Sequence, residues 1–399
     1  MRKVVDFFAI LTLMSAVICS CARCDGKDNG SSGKQEPEEP IVTTSYPFTD
    51  MVLCYGGSRH RAVYQWNEDR FSKYVTYTDK SGKEHWLFDA FLCIEFESAS
   101  RPDGNNYSYC TGFFKNKTGE SAGKAQWQEL IDYWFDPTCN LVALDNAVEN
   151  AKATLGAPKE KRKVVMVMPD PILYKYFEDV TSSTTYWGKL NGKTLDFNVP
   201  ADRIAAYEWY IEEVRKGFKA ANFKNIELDG FYIVSEDLVT PEEGWSYELK
   251  KLDLVIPSVS DYIHSFGQKI YWIPYRKAAG YKMGKKFKLD YVWMQPNYLW
   301  NGEKYPLEES MLMIKGADVG MEMEIDANVL DGMKDSELYR MRYRKYMQFA
   351  KQYGLYGKKP FTYYIGNNAV YDLAVSDKEV DQSMYFDLCD FVVDNPLRK

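Results

Sequence analysis

Two acidic stretches could do chemistry. Asn225 to Asp237 reads Asn-Ile-Glu-Leu-Asp-Gly-Phe-Tyr-Ile-Val-Ser-Glu-Asp and carries Glu227, Asp229 and Glu236 in a run too short and too aromatic for a helix. It is a buried strand with an acidic far end. In Gly320-Met321-Glu322-Met323-Glu324-Ile325-Asp326, period-two alternation puts Glu322 and Glu324 on one face and Met321, Met323 and Ile325 on the other. Glycosidic hydrolysis needs two carboxyls across a sugar, one to protonate the leaving oxygen and one to attack or stabilise the anomeric carbon. They stand about 5 Å apart in retaining enzymes and roughly 6.5 to 9.5 Å apart in inverting ones. Glu236 is the expected acid/base and Glu324 the nucleophile or base, with Glu322 as its deeper alternate. The same residues also admit structural readings. Ser235-Glu236-Asp237 could be a solvated turn or helix cap, and the paired Glu could be neutralised internally by Arg276.

Around these acids lie candidate binding groups. Asp229 would hold a substrate hydroxyl or orient the acid, although Asp-Gly within a strand also marks a bulge. Tyr232, Trp272, Tyr275, Trp293, Tyr298 and Trp300 could stack on sugar faces. Arg276, Gln295 and Asn297 follow strand-like runs, as do Glu95, Glu97 and Asp170. With 31 Tyr, 21 Phe and 10 Trp, the chain has rings to spare for such a surface.

Three His in all make metal chemistry and a Ser-His-Asp triad poor candidates, and the eight Cys show neither zinc-site nor disulfide-framework spacing. Cys54 and Cys93 read as buried thiols, and a Cys110 to Cys139 bridge has no support beyond its geometry being open. No Gly-x-Gly-x-x-Gly or phosphate loop follows the first strand, so no nucleotide cofactor is expected. A net charge of −7 argues against a nucleic-acid partner.

Eight strand-like runs must position these side chains: 51–55, 90–96, 163–168, the fourth within 225–237, 269–274, 290–295, 319–325 and 361–365, most of them separated by helical patterns. The clearest helix is Ala201 to Phe223, with Ile204, Tyr207, Ile211, Val214 and Phe218 at three- and four-residue spacing. Asn191-Gly192 between strand-type residues signals a hairpin over one end of the fold. Further helices are expected over 124–135, 141–155, 249–266, 278–287, 307–315, 336–353 and 377–391. Strand and helix alternating eight times is the pattern of a (β/α)8 TIM barrel, with a doubly wound open sheet as the other arrangement it allows. In a barrel, the carboxyl ends of the strands form the active face.

The chain opens with Arg2 and Lys3, an apolar run through Val17 and then Ile18-Cys19-Ser20-Cys21, a pattern that resembles a bacterial lipoprotein signal. Residues 1–20 would be the signal, Cys21 the lipidated residue, 21–47 a polar Gly/Ser/Pro-rich tether and 48–399 a single barrel domain. The expected location is the cell envelope, held by a lipid on the outer membrane with its face open. No later run is long and apolar enough to span a bilayer.

Four ordered motifs, Gly230 to Glu236, Trp272 to Gly280, Gln295 to Tyr298 and Gly320 to Glu324, resemble the domain of unknown function 4855 family, found in secreted proteins and in lipoproteins of Bacteroidetes type. That resemblance implies a barrel acting on carbohydrate. A more distant likeness is to the glycosidase superfamily with its acid/base after strand four and nucleophile after strand seven, onto which Glu236 and Glu324 map by strand order. Ser235 stands where that superfamily usually has Asn, and Asn297 is a candidate to supply the missing contact.

Overall fold

In a computed structural model of the chain, the described residues are 46–56, 65–98, 107–110, 120–173, 183–238, 251–366 and 368–398. The signal pattern, Cys21 and nearly all of the tether lie outside them. Eight parallel strands close a barrel: β1 (Asp50–Tyr55), β2 (Ala90–Ile94), β3 (Arg162–Met168), β4 (Ile226–Ile233), β5 (Lys269–Trp272), β6 (Tyr291–Met294), β7 (Gly320–Glu324) and β8 (Phe361–Tyr364). Each pairs with its sequence neighbours and β1 closes on β8. The open-sheet alternative is excluded. Tyr46–Lys399 forms one compact unit.

Helices α1 (Glu68–Val75), α2 (Lys124–Trp134), α3 (Leu141–Leu155), α4 (Pro200–Ala221), α5 (Ile256–His264), α6 (Leu307–Ala317), α7 (Ser336–Gln352), α8 (Ala369–Val375) and α9 (Glu379–Val393) accompany the strands. In α4, Pro200 at the first turn suits a helix start, while Ala206, Tyr207, Tyr210, Ile211 and Val214 bury one stripe. Asn222 ends it in the left-handed region at φ 49°. The Asn191-Gly192 hairpin is present, with φ of 51° and 82° at its tip, as a tight two-residue turn needs.

Two glycines let the barrel close. A Cβ on Gly230 would stand 2.1 Å from the Lys269 carbonyl oxygen of β5, and the register of β4 against β3 slips between Leu228 and Gly230. Asp229 therefore sits at a β-bulge. A Cβ on Gly320 would meet the Trp293 ring at 2.2 Å, so β7 begins with glycine to make room for that indole.

Some expectations need correction. Residues 278–287 form successive turns rather than a helix, and Gly280 at φ 80° is one reason, since a left-handed residue interrupts the helical ladder. Cys110 and Cys139 are buried free thiols, not a bridge. Helix α1 was not expected, yet Asn67 caps it by accepting from the Arg70 amide at 2.9 Å. No helix among the described residues is long and apolar enough to cross a membrane.

Candidate active site at the barrel mouth

Register sets which side chains face inward. Partners in neighbouring strands point to the same side, so Tyr364 shares the inner face with Glu324 and Thr362 shares it with Glu322. Met321, Met323 and Ile325 alternate with these acids, and all three are fully buried. Glu322 and Glu324 are themselves 2% and 1% exposed. Burial pushes the Glu322 carboxyl well above the usual carboxylate range, and the charges of Glu324 and Glu236 push it further. The strand β7 acids and the acid beyond β4 thus converge on one interior.

Glu236 is the half-buried member of the group. It accepts a hydrogen bond at 3.0 Å from Nε2 of Gln295, whose amide also reaches the Ile273 carbonyl at 3.0 Å. Tyr232 stands fully within the wall, and the charges of Glu236 and Glu322 add to the burial that holds its phenol protonated. Glu324 accepts from the Asn297 backbone N–H at 2.8 Å and from the Tyr346 hydroxyl of α7. Burial raises its pKa to about 7, against the pull of these donors and of the amides of Tyr298 and Leu299.

An aromatic arc runs beside the acids. Tyr55 packs on Phe96 and on Tyr364, with ring centroids 5.8 Å apart in each case, and Trp300 meets Tyr364 edge-on at 5.5 Å. The Trp300 indole is fixed by a 2.7 Å bond to Asp326 Oδ2. Tyr55, Phe96 and Tyr364 were missed in the sequence reading. The signal was available, since each lies at or just past the carboxyl end of a strand.

Several predicted binding residues lie elsewhere. Trp272 alternates with the inward Tyr271 and points out of the barrel, fully buried, with its indole N–H on the Ser235 carbonyl at 2.7 Å. It positions the segment that carries Glu236 and offers no stacking face. Arg276 is held by Ser310 Oγ at 3.0 Å and Glu309 at 2.5 Å, both on α6, so the carboxylate it pairs with is Glu309. Asp229 accepts from the Tyr271 hydroxyl at the bulge of β4, upstream of the strand's carboxyl end. It is not a mouth residue. Tyr298 packs beneath α7 against Tyr346, at 5.7 Å, and Trp293 stacks on Phe48 and Tyr271 at the other end of the barrel. Of the predicted set, Glu236, Glu322, Glu324, Tyr232 and Gln295 are drawn together, with Trp300 and Tyr275 beside them; Tyr275 bridges to Gln295 in parallel. Ser235, at the place where the superfamily has Asn, turns its hydroxyl to the Asp237 carbonyl at 3.3 Å.

No cluster of His, Cys, Asp and Glu suited to a metal occurs among the described residues. Three carboxyls and a phenol can exchange protons with a ligand and stabilise developing positive charge.

Comparison with known proteins agrees with the motifs. The model of the family described as "Domain of unknown function (DUF4855)" matches residues 50–390. The chain belongs to this family. No curated protein matches the DUF4855 chain. Among solved structures it is similar to the Group IV chitinase of Ostrinia furnacalis, at 7% identity and TM-score 0.41, over 87% of this chain and 99% of that one. It is similar to active domain 2 of a chitinase from Pyrococcus furiosus, at 11% identity and TM-score 0.39, over 87% and 98%. A third is the intracellular xylanase TsXylA of Thermoanaerobacterium saccharolyticum, at 12% identity and TM-score 0.36, over 83% and 89%. These likenesses stop at the course of the backbone, and no side-chain role is taken from them.

Proposed function

We propose that this DUF4855 protein is a glycoside hydrolase, with Glu236 as acid/base and Glu324 as the carboxylate on the far side of the sugar. The observation that carries the reading is the convergence of acids from β4 and β7 on one barrel interior, where Glu324 and Glu236 both act on the Glu322 carboxyl. The half-buried Glu236, held by Gln295, is the member able to meet a leaving oxygen. Trp300, fixed by Asp326, provides an apolar face at the same rim. The sequence pattern around Cys21 supports an envelope location, where a tethered barrel would act on extracytoplasmic glycan.

Replacing Glu236 by Gln tests the reading. Turnover on a panel of aryl glycosides and soluble polysaccharides should fall about 10²- to 10⁴-fold while sugar binding persists. Unchanged turnover removes Glu236 from the chemistry. Binding without turnover in the parent protein would leave a non-catalytic glycan-binding protein.

A further inference from the structure

Below the acid pair, the barrel interior holds a second polar layer. Thr362 of β8 is the register partner of Glu322 of β7, so their side chains stand next to each other on the inner face. Both are almost wholly buried, at 0% and 2% exposure. Glu322 Oε1 and Thr362 Oγ1 each lack a hydrogen-bond partner. Buried oxygens in folded proteins are nearly always bonded, and two adjacent exceptions in one layer point to a guest that brings its own hydroxyl.

We propose that Glu322 and Thr362 form a hydroxyl-binding floor beneath the sugar site, with Glu322 as a hydrogen-bond donor to the ligand rather than as nucleophile. The ligand class rests on the hydrolase reading above. Among the described residues, the charged and titratable groups around Glu322 are Glu324 on its own strand, Glu236 beyond β4 and Tyr232 on β4. All of them disfavour a second negative charge, so the acid keeps its proton and offers an O–H. A carboxylic acid held neutral in an apolar wall is a known way to place a donor against a ligand oxygen. The Thr362 hydroxyl can rotate to donate or accept, which completes a pair of bonds to one ligand hydroxyl.

The test uses full-length protein carrying Glu236→Gln, so that turnover does not interfere. Calorimetric titration with gluco-, xylo-, manno- and N-acetylglucosamine-based pentamers identifies a bound probe. In that background Glu322→Gln, which keeps a donor, should bind the probe within about threefold of the parent, whereas Glu322→Leu and Thr362→Val should each weaken it about tenfold. In infrared difference spectra at neutral pH, the parent minus Glu322→Gln should show the carbonyl band of a protonated carboxyl. Unaltered affinity in both Glu322→Leu and Thr362→Val overturns the floor and leaves it a water site only. Equal losses in Glu322→Gln and Glu322→Leu, or absence of the band, overturn the donor role. A folded parent that binds no pentamer sinks the hydrolase reading and the sugar floor together, whereas binding indifferent to the floor sinks the floor alone.

Discussion

Acids are buried at both ends of the barrel, and the two ends treat them in opposite ways. At the amino-terminal end Asp50 is fully buried, but it accepts from the Tyr363 hydroxyl at 2.7 Å and from Arg398 Nε at 2.9 Å. Its neighbour Asp89 takes the backbone N–H groups of Thr49 and Asp50 at 2.9 and 2.8 Å. Burial pushes Asp50 up to about 6, and the Arg398 guanidinium pulls against that rise. At the mouth, the charged neighbours of Glu322 among the described residues are the acids Glu324 and Glu236. Burial alone does not distinguish a working acid from a structural one; pairing does. Asp50 and Arg398 fasten the first strand to the last described turn, while Glu324 is held by the Tyr346 hydroxyl and the Asn297 amide.

The sharpest way to break that contrast is to substitute one residue at each end. Glu236→Gln should abolish most turnover, as above, while leaving the melting temperature nearly unmoved. Arg398→Met should do the reverse, because it leaves Asp50 buried without its cation. We expect a loss of about 3–5 kcal/mol in denaturant unfolding, with turnover per folded molecule unchanged. That loss should shrink as pH falls toward about 6, because Asp50 without the guanidinium takes up its proton at a higher pH than it does beside it. Equal stability losses from the two substitutions would erase the distinction between the ends.

The pH dependence of stability sharpens it further. Glu324 titrates near 7 in the folded protein against 4.5 in its ordinary state, so the folded chain binds this proton more tightly than the unfolded one. Its contribution is fully present below about pH 4.5 and is lost as pH rises through about 7, amounting to on the order of 3 kcal/mol. Thermal or urea unfolding of the parent should show stability declining over that window, and Glu324→Gln should flatten the decline. A variant with the parent's full slope would place the titrating group elsewhere.

The barrel was legible because its strands are short apolar runs and its helices carry periodic stripes. The inward pair in β7 was legible for the same reason, since strict alternation leaves Met321 and Met323 no other face. What the sequence hid was direction at strand ends and partners brought by folding. Trp272 alternates with Tyr271, so its outward course could have been read from period two, but a tryptophan near a motif invites a binding role. Arg276 needed α6 to dock before Glu309 and Ser310 could claim it. Tyr55 and Tyr364 were lost among 31 tyrosines that composition cannot rank. The bulge at Asp229 was one of two readings of Asp-Gly, and the Lys269 carbonyl against Gly230 decides between them.

Asp229 offers the smallest and most discriminating test, because it lies on the strand that leads to Glu236 but belongs to the other end. Its carboxyl is raised by burial and relieved mainly by the Tyr271 hydroxyl, whose ring stacks on Tyr291 at 5.6 Å and on Trp293 at 5.8 Å. Tyr271→Phe keeps those ring contacts and removes one donor, so stability should fall by about 1–2 kcal/mol in urea unfolding. Turnover and sugar affinity should not move, since that hydroxyl is spent on Asp229. A fall in turnover larger than the loss of folded protein would tie Asp229 to the orientation of the acid and make β4 a continuous functional strand rather than one divided at its bulge.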